Sequence, residues 1–193
     1  MVSEFDELNA IYDRFAADSA PYRTEAACAR GCAFCCTDAG RIDITTLEGL
    51  RIRRIMAGLL RNRRVALEKS LKQEFKKREA GLTVPCPFLM KNNACMIYEA
   101  RPFACRRVYS LHRCSQARPP LLHRQVMQLG TEAVAALQRL DTHGYTGHIS
   151  YILHMLDVPR FLETYLAGQF KPEEVMAFGK GHGIVINKRM VQP

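Results

Sequence analysis

Apolar residues recur along this chain at helical spacing, and the first such stretch lies near its N-terminus. Residues 3–17 place an apolar side chain at every third or fourth position, which aligns these side chains on one face of a helix. That face consists of Phe5, Leu8, Ile11, Tyr12 and Phe15. Ser3 stands where an N-cap residue is expected. We therefore predict a first helix that packs on the core through this face.

The next pattern predicts a short strand followed by a helix. Residues 42–44 alternate apolar and polar side chains as a strand does, and Thr45 with Glu48 has the spacing of a capping box. We expect the helix that this box opens to run to about Leu60. Its predicted buried face is Leu47, Leu50, Ile55, Met56 and Leu59.

A second helix is predicted directly afterwards, with Asn62 as its cap and Gly81 as its left-handed end. Its apolar side chains form one narrow stripe of Leu67, Leu71 and Phe75. Because the connection between the two helices is short, we expect them to form an antiparallel hairpin.

The character of the chain changes over residues 85–120, where Pro, Asn and Cys interrupt short apolar pieces. Residues 88–98 are typical of a small hairpin around the polar sequence Lys91-Asn92-Asn93. Helices are predicted again over residues 121–140, 148–156 and 160–166, with Gly168 as a stop, and a short helix is expected after Pro172. Residues 179–187 are glycine-rich and end in a strand-like piece.

These elements predict a mainly α fold, a small helical domain with a cysteine-rich, metal-binding face built of loops and a short hairpin. We expect residues 1–193 to form a single domain, with the metal-binding region at about 22–118 and a helical C-terminal part at about 119–193. No apolar run reaches the length of a membrane-spanning helix, and residues 1–15 lack the features of a signal peptide. The expected location is the cytoplasm, with no membrane partner.

Four of the eight cysteines lie within nine residues: Cys28, Cys32, Cys35 and Cys36. In a reducing compartment, thiols clustered at such spacings bind metal or react rather than form disulfides. Cys28, Cys32 and Cys35 have the spacing to wrap one metal centre, and thiolates select zinc, copper(I) and iron–sulfur clusters. Neighbouring side chains point apart in an extended backbone, so Cys36 needs a tight turn, a second site or a bridging position between two metals.

The other four cysteines are spread out, with eight or nine residues between neighbours: Cys86, Cys95, Cys105 and Cys114. That spacing matches no standard zinc knuckle. Pro102 can begin a helical turn that places Cys105 near a positive helix end, where the pKa of a thiol is expected to fall. All eight cysteines are therefore candidate metal ligands. Among the six histidines, His112 alone is close enough in sequence to Cys105 and Cys114 to be considered beside them.

The formal net charge of +9 is concentrated in residues 51–78, where Lys and Arg far outnumber Glu. A basic stripe of this kind can bind nucleic acid or an acidic protein, and it can equally be a solvated helix face. No recognised nucleic-acid module or set of interleaved aromatic residues accompanies the charge. The stripe therefore suggests a partner without identifying one.

The cysteine pattern resembles the bacterial YkgJ-type cysteine-cluster family, which is described as zinc- or iron-chelating and in places as iron–sulfur oxidoreductases. The resemblance covers residues 28–114, and each of the family's eight cysteines has a counterpart here. It rests on Cys28-x3-Cys32-x2-Cys35-Cys36, Cys86-Pro87-Phe88-Leu89, Cys95-x2-Tyr98-Glu99-x-Arg101-Pro102-x2-Cys105-Arg106 and finally Cys114. It implies metal binding and leaves the reaction open.

Two kinds of centre fit this set of thiols. Zinc takes four ligands in a tetrahedron, and eight cysteines would make two such sites. Three close cysteines completed by the distant Cys86-Pro87 instead follow the ligand order of ferredoxins, in which a remote cysteine before proline completes a cubane cluster. We favour an iron–sulfur cluster, with an electron-transfer or oxidoreductase role, and keep zinc as the alternative.

Two other functions are compatible with the same residues. A structural-zinc protein could use the basic residues 51–78 to bind nucleic acid or an acidic partner. The Cys28-x3-Cys32-x2-Cys35 spacing is also that of radical S-adenosylmethionine enzymes, and a flagellin lysine methylase carries a similar cluster, so a radical or methyl-transfer enzyme is the second alternative. Those radical enzymes place the motif after the first strand of a large α/β barrel, which this helical pattern does not predict.

Overall fold

The computed structural model describes residues 2–29, 31–37, 41–169, 178–179 and 181–190. Its fold is mainly α. Within the described residues, the α-helices and strands in chain order are α1 (Val2–Ser19), α2 (Phe34–Thr37), β1 (Asp43–Thr45), α3 (Thr46–Ala57), α4 (Arg61–Glu79), α5 (Phe103–Arg106), α6 (Arg124–Leu140), β2 (Tyr145–His148), α7 (Ile149–Leu156), α8 (Pro159–Leu166), β3 (Val185–Ile186) and α9 (Asn187–Met190). No helix in the described ranges is both long and apolar enough to cross a membrane.

One small antiparallel sheet ties distant parts of the chain together, in the strand order β1-β2-β3. Asp43 pairs with His148 and Thr45 with Thr146, while Tyr145 pairs with Ile186. Strand β1 was predicted, as was a strand-like piece before Asn187, but the sequence pattern missed β2. Its four residues, Tyr-Thr-Gly-His, stand directly before α7. They show no clear alternation of apolar and polar side chains, so the pattern does not predict a strand.

The first hydrophobic core surrounds α7, which is buried along most of its length. Helices α3 and α4 both pack on α7, and this arrangement replaces the hairpin expected between them. At Gly49 of α3 the approach is so close that a Cβ atom would lie 2.8 Å from Leu156 Cδ1. That contact turns the side of α3 that carries Gly49 and Ile52 towards α7. Ile55, which was predicted to be a core residue, therefore lies beside the buried face and is 41% exposed.

The second core joins α1 to α6. Leu8, Tyr12 and Phe15 of α1 are buried as predicted, with Phe5 and Ile11 packed at the edge. The predicted N-caps of α1 and α4 were wrong: α1 begins at Val2, before Ser3, and Leu60 precedes the first residue of α4. The capping box of Thr45 and Glu48 is confirmed, as is the left-handed turn at Gly81, which has φ +75°.

Residues 85–120 contain little regular structure, but they are not independent of the cores. The predicted hairpin is present as a tight turn in which Met90 N–H donates to Ala94 O and Met96 N–H donates to Phe88 O, each at 2.9 Å. Phe88 and Ile97 are buried in the first core and Phe103 in the second. The segment is thereby anchored on both cores. The helix expected after Pro172 lies outside the described residues.

Candidate metal centre

Each candidate cysteine is placed by a loop or a short turn rather than by a long helix. All eight are free thiols, with Cys28 and Cys32 exposed and the other six partly buried. Cys35 and Cys36 lie in the single turn of α2, Cys95 lies opposite Leu89 in the hairpin, and Cys105 lies in α5. Loops and short turns leave the cysteine side chains accessible, so that several segments can contribute to one metal centre.

The first contact between the two sequence groups is made by Cys36 and Cys86. The Cys86 N–H donates to the Cys36 carbonyl oxygen at 2.7 Å, although fifty positions (86 − 36) separate the two residues. The turn of α2 also brings the vicinal pair together, because the Cys35 and Cys36 thiols interact closely enough to shift the pKa of each other. The two adjacent side chains therefore point towards a common space.

Five thiols form one electrostatically connected group: Cys35, Cys36, Cys86, Cys95 and Cys105. A second group consists of Cys28, Cys32 and Cys114. The Cys28 sulfur accepts a hydrogen bond from the Ser110 N–H at 3.4 Å, and the Cys114 thiol donates to the His112 carbonyl oxygen at 3.8 Å. Each group contains cysteines from both sequence clusters, so the clusters do not correspond to separate places in the fold.

Cys35 lies within electrostatic reach of both thiol groups. Its charge acts on Cys28 of the three-thiol group and on Cys86, Cys95 and Cys105 of the five-thiol group. Cys35 is therefore electrostatically coupled to thiols of both groups.

Burial and neighbouring sulfurs control the ionisation of these thiols. The hydrogen bond from Cys36 lowers the pKa of Cys35, whereas the same bond raises the pKa of Cys36, so the pair loses its first proton readily and its second with difficulty. Burial raises the pKa of Cys86 to about 12. Burial also raises the pKa of Cys105, so the fall predicted from its position near a helix end was wrong. One turn of α5 has too small a dipole to offset the loss of solvation.

Arg101 supplies positive charge to the five-thiol group. After Cys36, its guanidinium helps to lower the pKa of Cys35, and it partly opposes burial, which raises the pKa of Cys95 and Cys105. It also stacks on Tyr98, with Cζ 3.7 Å from the ring centroid. The buried Nε atom of Arg101 has no hydrogen-bond partner within the described residues. A centre with several thiolates is anionic, and Arg101 is positioned to offset part of that charge.

Glu48 connects the helical core to the turn that carries Cys105. Its Oε1 atom accepts from the Phe103 N–H at 2.7 Å and from the Tyr12 hydroxyl at 2.6 Å. Since Phe103 is the first residue of α5, the carboxylate caps this turn from inside the protein. The sequence pattern identified Glu48 as part of a capping box but gave no indication of this second contact.

The donor chemistry fits a soft metal, and the described side-chain arrangement is open. In the ranges that the structure describes, no three His, Cys, Asp or Glu side chains are arranged so as to hold one ion. Rotation of a cysteine about its Cα–Cβ bond relocates the sulfur between staggered positions without moving the backbone. The eight free thiols supply the ligand type that zinc and iron–sulfur centres require.

The remaining candidates lie around this set. The His112 ring interacts with the Pro119 carbonyl oxygen, with Nε2 at 2.9 Å. The basic residues of α4 lie mostly on its exposed side, with Leu67 and Glu74 buried on the other. The described residues form a three-stranded antiparallel sheet and helices, which is not the parallel barrel that surrounds the radical-enzyme motif.

Comparison with known proteins adds one positive finding. No significant match was found among curated proteins or among solved structures. A family model matches residues 27–121, which include all eight cysteines and amount to 95 of 193 positions (121 − 27 + 1). The match supports a zinc- or iron-chelating function for this segment. Residues 27–121 thus match the CxxCxxCC family, whose description is "putative zinc- or iron-chelating domain".

Proposed function

We propose that this protein binds zinc or iron through its eight cysteines, in one polynuclear centre that holds at least two metal atoms. The single observation that carries the proposal is the contact of the α2 turn with Cys86, whose N–H donates to the Cys36 carbonyl oxygen at 2.7 Å. Cys35, in the same turn, is electrostatically coupled to thiols of both the five-thiol and the three-thiol groups. A ligand common to two groups favours adjacent or bridged metals over two isolated tetrahedra.

Each cysteine has a definite part in this proposal. The five-thiol group of Cys35, Cys36, Cys86, Cys95 and Cys105 would hold the inner, partly buried portion of the centre, with Arg101 as its counter-charge. Cys28, Cys32 and Cys114 would hold the portion that faces solvent. A bound iron–sulfur cluster would supply one-electron redox chemistry, and zinc would supply a structural link.

The order Cys28, Cys32, Cys35 and then Cys86-Pro87 favours an iron–sulfur cluster, since it follows the ligand order of ferredoxins. In that case the exposed side at Cys28 and Cys32 gives an electron partner access to the centre, and electron transfer is the role we propose. Zinc remains the alternative, with a structural role.

Metal and sulfide analysis of anaerobically purified protein tests the proposal. We expect two or more iron or zinc atoms per chain, with visible absorption and acid-labile sulfide in the iron case and neither in the zinc case. One zinc atom per fully reconstituted chain, with four thiols still reactive towards a thiol reagent, would show that the centre is not polynuclear.

A second candidate function rests on the exposed face of α4. Helical spacing aligns four basic residues on this face, and none has an acidic partner within the described part of the chain: Arg61, Lys69, Lys72 and Lys76. We propose that this stripe binds the phosphates of nucleic acid. Binding of a generic duplex should weaken steeply with added salt and be lost on replacing Lys69, Lys72 and Lys76 with Glu. Unchanged binding in that variant, compared with Lys91→Glu as control, would exclude the stripe.

A further inference from the structure

A buried carboxylate lies on the inner face of α4, in the part of the molecule next to the thiols. Glu74 follows Leu67 and Leu71 along the apolar stripe, at a position where helix periodicity calls for another apolar residue. Its side chain is only 5% exposed. Burying a carboxylate is unfavourable unless charge and hydrogen bonds compensate it.

Among the residues that the structure describes, a hydrogen-bond partner is found for one of the two carboxylate oxygens of Glu74. The Arg78 Nε donates to Oε1 at 2.7 Å, and this ion pair offsets the charge. The second oxygen, Oε2, is fully buried and has no hydrogen-bond partner within the described residues. A buried oxygen in this condition calls for a bound water or ion.

Glu74 lines the same recess as three of the thiols. This recess is small and partly open to solvent, and its polar lining consists of Cys35, Cys36, Glu74, Arg78, Cys86 and His148. The negative charge of Glu74 also raises the pKa of the Cys86 thiol, which places the two groups within electrostatic reach. A cation bound in the recess would be attracted by the carboxylate and by the thiolates.

We propose that Glu74 is an additional, non-cysteine ligand of the metal that Cys35, Cys36 and Cys86 would hold once their side chains rotate towards the recess. The inference rests on the proposed metal-binding function and gives that centre one oxygen donor from α4. Zinc and iron both accept carboxylate oxygen beside thiolate. The Arg78 contact to Oε1 holds the carboxylate plane and leaves Oε2 for the metal, as outer hydrogen bonds commonly do for metal-ligating carboxylates.

The first test compares zinc affinities of reduced proteins by competition with a chromophoric chelator. Glu74→Gln keeps the size of the side chain and removes its charge, while Glu68→Gln makes the same change on the exposed side of the same helix. We expect Glu74→Gln to bind zinc at least ~10-fold more weakly than the natural protein and Glu68→Gln to bind it equally well. Equal affinity in Glu74→Gln would overturn the ligand role.

The second test separates ligation from a purely structural role. In the Glu74→Cys variant loaded with Co²⁺, a ligand at this position exchanges oxygen for sulfur, so the sulfur-to-cobalt absorption per metal should rise. X-ray absorption of the zinc form, which averages over the metals, should show one more sulfur neighbour per centre at about 2.3 Å. An unchanged sulfur count in Glu74→Cys would overturn the proposal even if Glu74→Gln binds zinc weakly.

Failure of this inference is distinguishable from failure of the proposed function. If the natural protein binds zinc or iron and Cys86→Ser loses it while Glu74→Gln does not, the cysteine centre stands without Glu74. If the natural protein binds neither metal, the proposed function itself is wrong and Glu74 has no metal to bind.

Discussion

Two buried carboxylates illustrate how single residues connect the elements of this protein. Glu48 is 2% exposed, yet both of its oxygens are satisfied by α1, by the backbone at Thr45 and by the start of α5. Glu74 is 5% exposed and has an oxygen without a partner in the described residues. The first arrangement is typical of a structural carboxylate, and the second is the one for which we propose a metal-binding role.

Replacing Glu48 with Gln should destabilise the fold. The amide NH₂ group would face the N–H of Thr45 or of Phe103, so one buried donor would lose its acceptor at a cost of about 1–3 kcal/mol. Urea unfolding measures the change, with Glu68→Gln as the exposed control. Equal midpoints for the Glu48→Gln and Glu68→Gln proteins would show that the buried contacts contribute little.

Metal content should depend on the thiols and not on the nearby histidine. We expect Cys35→Ser to lose at least one metal atom per chain, because Cys35 connects the two thiol groups, whereas His112→Ala should keep the full content. Elemental analysis of the purified variants provides the measurement. Equal losses in the two variants would make His112 a ligand and require a different set of donors.

At the scale of elements, α7 organises the core because α3 and α4 both pack on it. The approach of α3 is permitted by Gly49, where an added Cβ atom would lie 2.8 Å from Leu156 Cδ1 and 3.0 Å from Ile152 Cγ2. Small residues allow such close packing, and any added methyl group must displace a neighbouring helix or side chain.

The Gly49→Ala substitution should therefore lower the free energy of unfolding by about 1–3 kcal/mol through overpacking, despite the better helix propensity of alanine. Gly58→Ala is the matched control, because its Cβ atom would meet only the Ile55 carbonyl oxygen at an ordinary 3.5 Å. Chemical denaturation of both variants tests this. A Gly49→Ala protein as stable as the control would mean that α3 and α7 can separate without cost.

Across the whole molecule, Asp141 joins four elements in one buried network. It follows α6, and its carboxylate accepts from the Leu47 N–H of α3 at 3.0 Å, from the Tyr165 hydroxyl of α8 at 2.7 Å and from the Asn187 amide of α9 at 3.3 Å. Burial raises the pKa of Asp141 to about 7, and the nearby charge of Glu48 acts in the same direction.

A raised carboxyl pKa in the folded state makes stability fall as pH rises. The contribution of Asp141 is fully present below its ordinary pKa, falls between about pH 4 and pH 7, and is absent above that range. In Asp141→Asn this dependence disappears, so the stability of the variant relative to the natural protein should increase between pH 5 and pH 8. Urea unfolding of both proteins at pH 5 and pH 8 measures this change in relative stability. Effects of metal and thiols that are common to both proteins cancel in the comparison. Parallel pH profiles would contradict the prediction.

Removal of metal should loosen the solvent-facing cysteine loops before the cores. Metal bonds that connect residues 27–36 with 108–118 offset the entropy of closing a long loop, and few buried apolar side chains replace them there. Phe88, Ile97 and Phe103 remain anchored in the cores. Hydrogen exchange after chelation under reducing conditions should therefore accelerate in those two loops, with little change over residues 131–156. Unchanged protection of the loops after confirmed metal loss would show that metal does not stabilise them.

Local rules within the sequence determined much of this protein. The apolar spacing of α1, the capping box at Thr45 and Glu48, the left-handed turn at Gly81 and the turn around Asn93 were predicted and are confirmed, because each depends on residues within a few positions of one another. The cysteine spacing likewise predicted the zinc- or iron-chelating family that the family model supports. Recognising this family requires only the positions of the cysteines and of their neighbours along the chain, and not the fold.

Tertiary structure alone decided which of these features meet. The docking of α3 and α4 on α7, the pairing of β2 and the division of the thiols into groups of five and three depend on residues far apart in sequence. Burial reversed the expected pKa shift of Cys105, because desolvation depends on what the whole chain packs around a thiol. Glu74 is an ordinary glutamate within a basic helix by sequence, and only the fold buries it beside Cys86.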